Sequence, residues 1–212
     1  MTDRVSWQRV LAEMPLVAII RGAQPDEILD IAAALESAGF LCLEVPLNSP
    51  DPLTSVRRLR SHYDGRLLIG AGTVLTTTDV DAARNAGAEF IVSPNTNAAV
   101  IRATKASGLL SVPGFVTPTD AFIALEAGAD ALKLFPTEAA PPAYLHAMKA
   151  VLPADCPVLP VGGVTPEAMA GYVAAGAAGF GIATAIYTPG IDAATVGQRA
   201  RIFAQTWRNL RR

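Results

Sequence analysis

The 212-residue sequence predicts an α/β fold built as one barrel of eight strand–helix units. Three observations predict it: a recurring helix-tail glycine, strand segments that are apolar without alternation, and helix-start chemistry between them. The recurring fragments are SAGF (37–40), NAGAEF (85–90), ASGLL (106–110), EAGADAL (126–132) and AAGAAGF (174–180). Each reads as a helix tail whose glycine takes a left-handed turn, followed within a few residues by an apolar strand. They recur about every 20 residues, or at multiples of that, which is the length of a compact helix-plus-strand unit.

The predicted strands, in order, are LVAIIRG (16–22), LCLEVPL (41–47), LLIGAGTV (67–74), FIVSP (90–94), LLSVPGFV (109–116), ALKLFP (131–136), PVLPVGG (157–163) and AGFGIAT (178–184). Runs that are apolar at every position mark parallel strands covered on both faces. Between them, Pro25, Asp26 and Glu27 put proline and acids in a first helical turn, with Ile28, Ile31, Ala32 and Leu35 as its inward stripe. Thr165-Pro166-Glu167 repeats that chemistry, and Thr77, Thr78 and Asn97 are expected N-caps. The opening MTDRVSWQRVLAEM reads as a polar amphipathic helix ahead of the first strand, not a secretory signal. The expected whole is a (β/α)8 TIM barrel with an extra N-terminal helix, a single domain over residues 1–212. A doubly wound open sheet is the competitor, but Arg21-Gly22-Ala23-Gln24 after the first strand is not a dinucleotide fingerprint, and Gly70-Ala71-Gly72 lacks its third glycine.

Composition narrows the class. The chain is 51% hydrophobic and 17% charged with net charge −2, against roughly 25% charge in an average soluble chain. Disorder is excluded, and the absence of a basic balance argues against a nucleic-acid partner. Residues 168–191 carry no charge, but alanine dominates them and five glycines and a proline interrupt them. They are expected to be a helix end, a turn and a buried strand rather than a membrane span. Cys42 and Cys156 match no disulfide framework or metal spacing and read as buried thiols in a reducing cytoplasm.

In a barrel, chemistry sits where strands end. Lys133 is the only lysine inside a predicted strand; Lys105 and Lys149 fall on helices. Desolvation there disfavours the ammonium form and leaves an amine able to attack a carbonyl, although a strand-end lysine can instead reach solvent or pair with a carboxylate. Glu44 is the only carboxylate inside a strand run, suited to carry a proton or to partner Arg21 or Lys133. Gly162 and Gly163 close the seventh predicted strand, and Gly179, Gly181, Ala183 and Thr184 end the eighth. Backbone N–H groups at those two strand ends are a common phosphate cradle in barrels. Arg21 and Thr73 face the same mouth and suit a substrate carboxylate, with a rim salt bridge as the alternative for Arg21. His62 and His146 sit on predicted helices without a partner one turn away, so no metal site is expected.

The segments LVAIIRG (16–22), LEVPLNSP (43–50), IGAGTVL (69–75), IVSPN (91–95), ALKLFP (131–136) and VGGVTPE (161–167) together resemble the class I 2-keto-3-deoxy-6-phosphogluconate/phosphogalactonate aldolase family along nearly the whole chain. The chain looks closest to its phosphogalactonate-type members. Asn48 follows Glu44 without the nearby arginine of gluconate-type enzymes, and Val161 stands where those carry threonine, near the substrate's C4 hydroxyl. The resemblance implies a cytoplasmic homotrimer, free of metal and cofactor, that cleaves a phosphorylated keto-deoxy sugar acid to pyruvate and D-glyceraldehyde 3-phosphate. It implies Lys133 as the Schiff-base lysine and Glu44 as the acid/base. Arg21 and Thr73 match carboxylate contacts, Val161 the C4 position, and Gly162, Gly163, Ala183 and Thr184 the phosphate site. Close relatives often read Gly-Ser where this chain has Ala183-Thr184, a change that leaves backbone donors in place. Three alternatives stay open on the sequence: a gluconate-type or dual-epimer aldolase, an isomerase or epimerase barrel working without an imine, and a phosphosugar-binding barrel without turnover.

Overall fold

The computed structural model describes residues 4–211. Helix α1 (Trp7–Glu13) starts at Ser6, whose hydroxyl accepts a hydrogen bond from the Arg9 N–H, so the helix expected from residue 1 begins later and Met1–Asp3 lie outside the described residues. Strands β1 (Leu16–Ile19), β2 (Cys42–Pro46), β3 (Leu68–Gly72) and β4 (Phe90–Val92) follow in parallel, with helices α2 (Ile28–Ala38), α3 (Pro52–Tyr63) and α4 (Thr77–Ala86) between them. The chain continues through α5 (Ala98–Ala106), β5 (Leu110–Val112), β6 (Gly114–Phe115), α6 (Pro118–Glu126), β7 (Leu132–Leu134) and α7 (Pro142–Lys149). It ends with β8 (Val158–Pro160), α8 (Pro166–Ala174), β9 (Phe180–Ile182) and α9 (Ala193–Leu210).

The strands pair in parallel in the order β5-β4-β3-β2-β1-β9 and β6-β7-β8, and a parallel bridge between Val161 and Gly181 joins the second set to the first. This is an α/β fold on a parallel sheet, with every residue of β1, β2 and β3 buried, as uniform apolarity requires. The predicted fifth strand, 109–116, is two segments. Pro113 has no N–H to give a ladder, and it separates β5 from β6 while its carbonyl still accepts from the Lys133 N–H at 2.9 Å.

Helix ends follow local chemistry. All five repeat glycines, Gly39, Gly87, Gly108, Gly128 and Gly176, have positive φ. At Gly39 (φ 95°) the N–H closes the tail of α2 on the carbonyls of Glu36 and Leu35, a turn that a side chain would strain. Two start signals shift. The N-cap of α4 is Thr76, not Thr77 or Thr78, because only Thr76 stands three residues before Asp79 and so forms the reciprocal capping box. Pro25–Glu27 form a turn just outside α2, whose stripe Ile28, Ile31, Ala32 and Leu35 is fully buried as expected. Asn97 and Thr165 cap α5 and α8 as predicted. A second box joins Thr117 and Asp120 at α6. Thr117→Ala removes two hydrogen bonds there and is expected to cost about 1 kcal/mol in urea unfolding with an unchanged m-value.

Inside the strands, Phe90, Val92, Cys42, Leu68, Val112, Ala131 and Leu159 form a second core, closed by Val5, Trp7 and Val10 at and around α1. The first residues of β2, β3 and β4 belong to it, so α1 covers the end of the sheet where strands begin. The opposite end carries the candidate site. Small residues of β3 make room for larger neighbours: a Cβ on Gly70 would lie 2.4 Å from the Phe90 ring, and one on Gly72 would lie 2.6 Å from a Glu44 carboxyl oxygen. Both cysteines are buried and unpaired. Among the described residues no helix is long and apolar enough to cross a membrane, and 168–191 divides into the end of α8, a turn and β9 as expected.

Candidate active site

Lys133 is the central residue of β7, paired in register with Gly114 on one side and Leu159 on the other. Glu44 is the central residue of β2, in register with Ile19 and Gly70. Both side chains enter one cavity lined also by Val17, Ile19, Val92, Val112, Leu159, Val161 and Gly181. Strand periodicity explains the convergence, since alternate residues of neighbouring strands share a face. Lys133 is 6% exposed and Glu44 1% exposed.

The apolar wall acts on both titratable groups. Burial pulls the Lys133 ammonium below its ordinary pKa, the Arg21 charge adds to that, and Glu44 opposes it. Burial likewise pushes the Glu44 carboxyl up, against the charges of Lys133 and Arg21. The two shifts move the pair toward a neutral amine beside a carboxyl group that holds a proton unusually well. The Lys133 Nζ lies 4.8 Å from the centre of the Phe135 ring, and the buried Glu44 Oε2 has no hydrogen-bond partner among the described residues. A buried oxygen without a partner is costly unless something in the cavity engages it.

Arg21 lies in the turn after β1 and is exposed at the mouth. Its guanidinium donates to Asn48 Oδ1 and to Thr73 Oγ1, the latter at 3.3 Å. Both partners are neutral, and among the described residues Arg21 forms no ion pair, which removes the rim salt bridge as its role. Thr73 has φ 56°, a left-handed conformation that a β-branched residue adopts only under constraint, and this turns its hydroxyl toward Arg21. Asn48, noted in the sequence only for the missing neighbouring arginine, is here a partner of Arg21. It is visible in hindsight as the polar residue directly after the LEVPL run.

Gly162 and Gly163 follow β8 with φ of 99° and 57°, opening the backbone just before the Thr165 cap of α8. With Val164, Thr165, Gly181, Ala183, Thr184 and Ala185 they line a hollow, and Gly181 also lines the inner cavity. A helix start and flexible backbone donors there suit an anion. Gly179 stands apart: a Cβ on it would lie 2.1 Å from the Pro15 carbonyl, so its smallness serves strand packing. The loop after β7 braces this region. Thr137 donates its hydroxyl to the Gly162 carbonyl and its N–H to the Val161 carbonyl at 3.1 Å, contacts without a signature in the local sequence. His62 and His146 lie on α3 and α7, as predicted.

The arrangement brings a desolvated amine and a desolvated carboxyl group into one chamber, with a guanidinium and a glycine-lined hollow on the same rim. Comparison with known proteins gives the same direction. The profile of the KDPG and KHG aldolase family matches residues 8–196. A 2-dehydro-3-deoxy-6-phosphogalactonate aldolase of Escherichia coli (strain K12) is 45% identical over 204 residues, covering 96% of this chain and 98% of that protein. A 2-dehydro-3-deoxy-phosphogluconate aldolase of Pseudomonas aeruginosa is 36% identical, covering 76% and 71%. A solved structure described as native KDPGal superposes with a TM-score of 0.92 at 45% identity, covering 93% of this chain and 96% of that one.

Proposed function

The chain belongs to the KDPG and KHG aldolase family, and we propose that it cleaves 2-dehydro-3-deoxy-6-phospho-D-galactonate to pyruvate and D-glyceraldehyde 3-phosphate through an imine on Lys133. The observation that carries this reading is a desolvated lysine sharing an apolar cavity with a desolvated glutamate. Neutral Lys133 attacks the C2 ketone, and the carbinolamine takes up one proton from water and loses water, leaving a protonated imine whose positive charge holds Glu44 as carboxylate. Glu44, as carboxylate, takes the proton of the C4 hydroxyl, directly or through a water. The C3–C4 bonding pair moves into the imine, which releases the aldehyde and leaves an enamine. Protonation of the enamine at C3 by Glu44 and hydrolysis of the resulting imine free pyruvate and restore the amine. Arg21 and Thr73 hold the carboxylate, and the Gly162-Gly163 and Ala183-Thr184 loops hold the phosphate. Fixing both ends leaves the reacting carbons little freedom.

We read the paired strands as one closed (β/α)8 barrel preceded by α1 and forming a single domain, with β5 and β6 as two halves of one strand. The bridge from Val161 to Gly181 and the bond from Lys133 to Pro113 support that reading. We further assign a cytoplasmic homotrimer. Two unpaired cysteines agree with a reducing compartment, and Phe122 and Ile123 on α6, 46% and 40% exposed, supply apolar surface for assembly. Light scattering of the purified protein tests the trimer.

Borohydride reduction in the presence of pyruvate tests the imine. A stable adduct mapped to Lys133 is expected. An unmodified mass would favour an isomerase or epimerase barrel instead. The galactonate preference rests on greater similarity to the phosphogalactonate enzyme and on Val161, which lines the cavity beside Gly181. Val161→Thr places a hydroxyl near C4 and is expected to shift the ratio of kcat/KM for the two C4 epimers toward the gluconate form by about tenfold, the worth of one neutral hydrogen bond. An unchanged ratio would remove Val161 as the discriminator.

A further inference from the structure

The loops that grip the two ends of the substrate in the proposed reaction are fastened to each other by a contact that lies outside the chemistry. Beyond β9, the N–H groups of Ile186 and Tyr187 both donate to the Ala183 carbonyl, at 2.9 and 3.0 Å, so Tyr187 is folded back on the Ala183-Thr184 segment. Tyr187 is 2% exposed, and its hydroxyl donates to Glu27 Oε1 at 2.8 Å across 160 residues of sequence. The same oxygen accepts the Gln24 N–H at 2.8 Å, which ties Glu27 to the segment that follows Arg21. Two residues beyond Tyr187, the Pro189 ring packs on Gly22. A Cβ at Gly22 would lie 2.7 Å from Pro189 Cγ, and Gly22 has φ 86°, so only glycine fits beneath the proline. The Gly22 N–H in turn donates to Ser49 Oγ at 2.9 Å, next to Asn48, the partner of Arg21.

The strand ladder between β1 and β9 ends at Ala18 and Ile182. Beyond it, the hydrogen bonds and packing just described connect Ala183 to Arg21. We propose that Tyr187 and Glu27 form a latch that transmits phosphate occupancy at the Ala183-Thr184 loop to the alignment of Arg21, which makes Tyr187 a positioning residue for the carboxylate end. This rests on the assignment of those two loops to the substrate's two ends. A phosphate that orders the Ala183 loop draws Tyr187 into one position, and Tyr187 then holds the segment from Gly22 to Glu27, and with it Arg21, in the geometry that grips a carboxylate. Coupling of this kind is reciprocal between the two ends.

The test compares kcat/KM for the phosphorylated keto-deoxy acid and for the same acid without its phosphate. Tyr187→Phe keeps the ring and removes only the donor. It is expected to lower kcat/KM about fivefold to tenfold for the phosphorylated substrate and to leave the unphosphorylated one within about twofold. Glu27→Gln retains an acceptor oxygen and is expected to stay near wild type, whereas Glu27→Ala repeats the selective loss by a second route. Equal losses on both substrates, or no loss on the phosphorylated one, overturn the latch. A wild-type enzyme indifferent to the phosphate overturns the assigned phosphate site instead, and that arm is read before any variant is made.

Discussion

Lys133→Met is expected to reduce turnover by on the order of 10⁴-fold or more while the chain remains folded, because the variant has no nitrogen with which to build the imine. Methionine is unbranched and apolar, so it fills the cavity between Leu159 and Val161 without leaving a charge to solvate. Borohydride in the presence of pyruvate is expected to leave its mass unchanged. Appreciable residual turnover would assign the chemistry to another group. The same substitution carries a stability prediction of opposite sign. Burial lowers the Lys133 pKa from its ordinary 10.5, so the folded chain releases this proton at pH values where the unfolded chain still binds it. Between the lowered folded value and 10.5 the unfolded state therefore holds more protons, and wild-type stability rises with pH through that window. Methionine abolishes the slope. The variant is expected to melt above wild type at neutral pH, with a margin that narrows as the pH approaches 10.5. A variant that melts below wild type throughout would mean that the amine contributes packing or pairing worth more than its desolvation costs.

Lys133 and Glu44 were legible because each breaks a local rule that its neighbours obey. A cation in ALKLFP and a carboxylate in LEVPL stand out within runs that are otherwise apolar, and such breaks concentrate where function requires them. The parallel sheet was legible for the converse reason: unbroken apolarity and repeated helix-tail glycines agree on one architecture. Boundaries were less so. Whether Thr76 or Thr77 caps α4 depends on which threonine reaches Asp79, a matter of one residue's phase. The interruption at Pro113 follows from the missing N–H of one residue, but no hydropathy pattern announces it. The remaining contacts span the chain. Asn48 meets Arg21, Thr137 meets Gly162, and Tyr187 meets Glu27, each pair joined only when the sheet curls and brings loops from distant segments to one rim.

The second large effect concerns Glu44, and it separates proton transfer from imine formation. Glu44→Gln keeps the size and one acceptor oxygen of the side chain but cannot exchange a proton, so cleavage is expected to slow by about 10² to 10⁴, the range for loss of a general acid/base. The steric fit is preserved, because the glutamine occupies the space that Gly72 leaves open, where even a methyl group would lie 2.6 Å from the carboxyl oxygen. The consequence for Lys133 runs the other way. Glu44 is the group that raises the lysine's pKa against burial and Arg21, so its neutralisation leaves the amine more readily unprotonated. Pyruvate is therefore still expected to be trapped by borohydride on Lys133 in the variant. Exchange of the pyruvate methyl hydrogens with deuterated solvent, which requires proton removal and return at C3, is expected to fall in parallel with cleavage. Loss of trapping together with turnover would show that Glu44 acts first on imine formation, and intact hydrogen exchange would move the C3 proton to a different carrier.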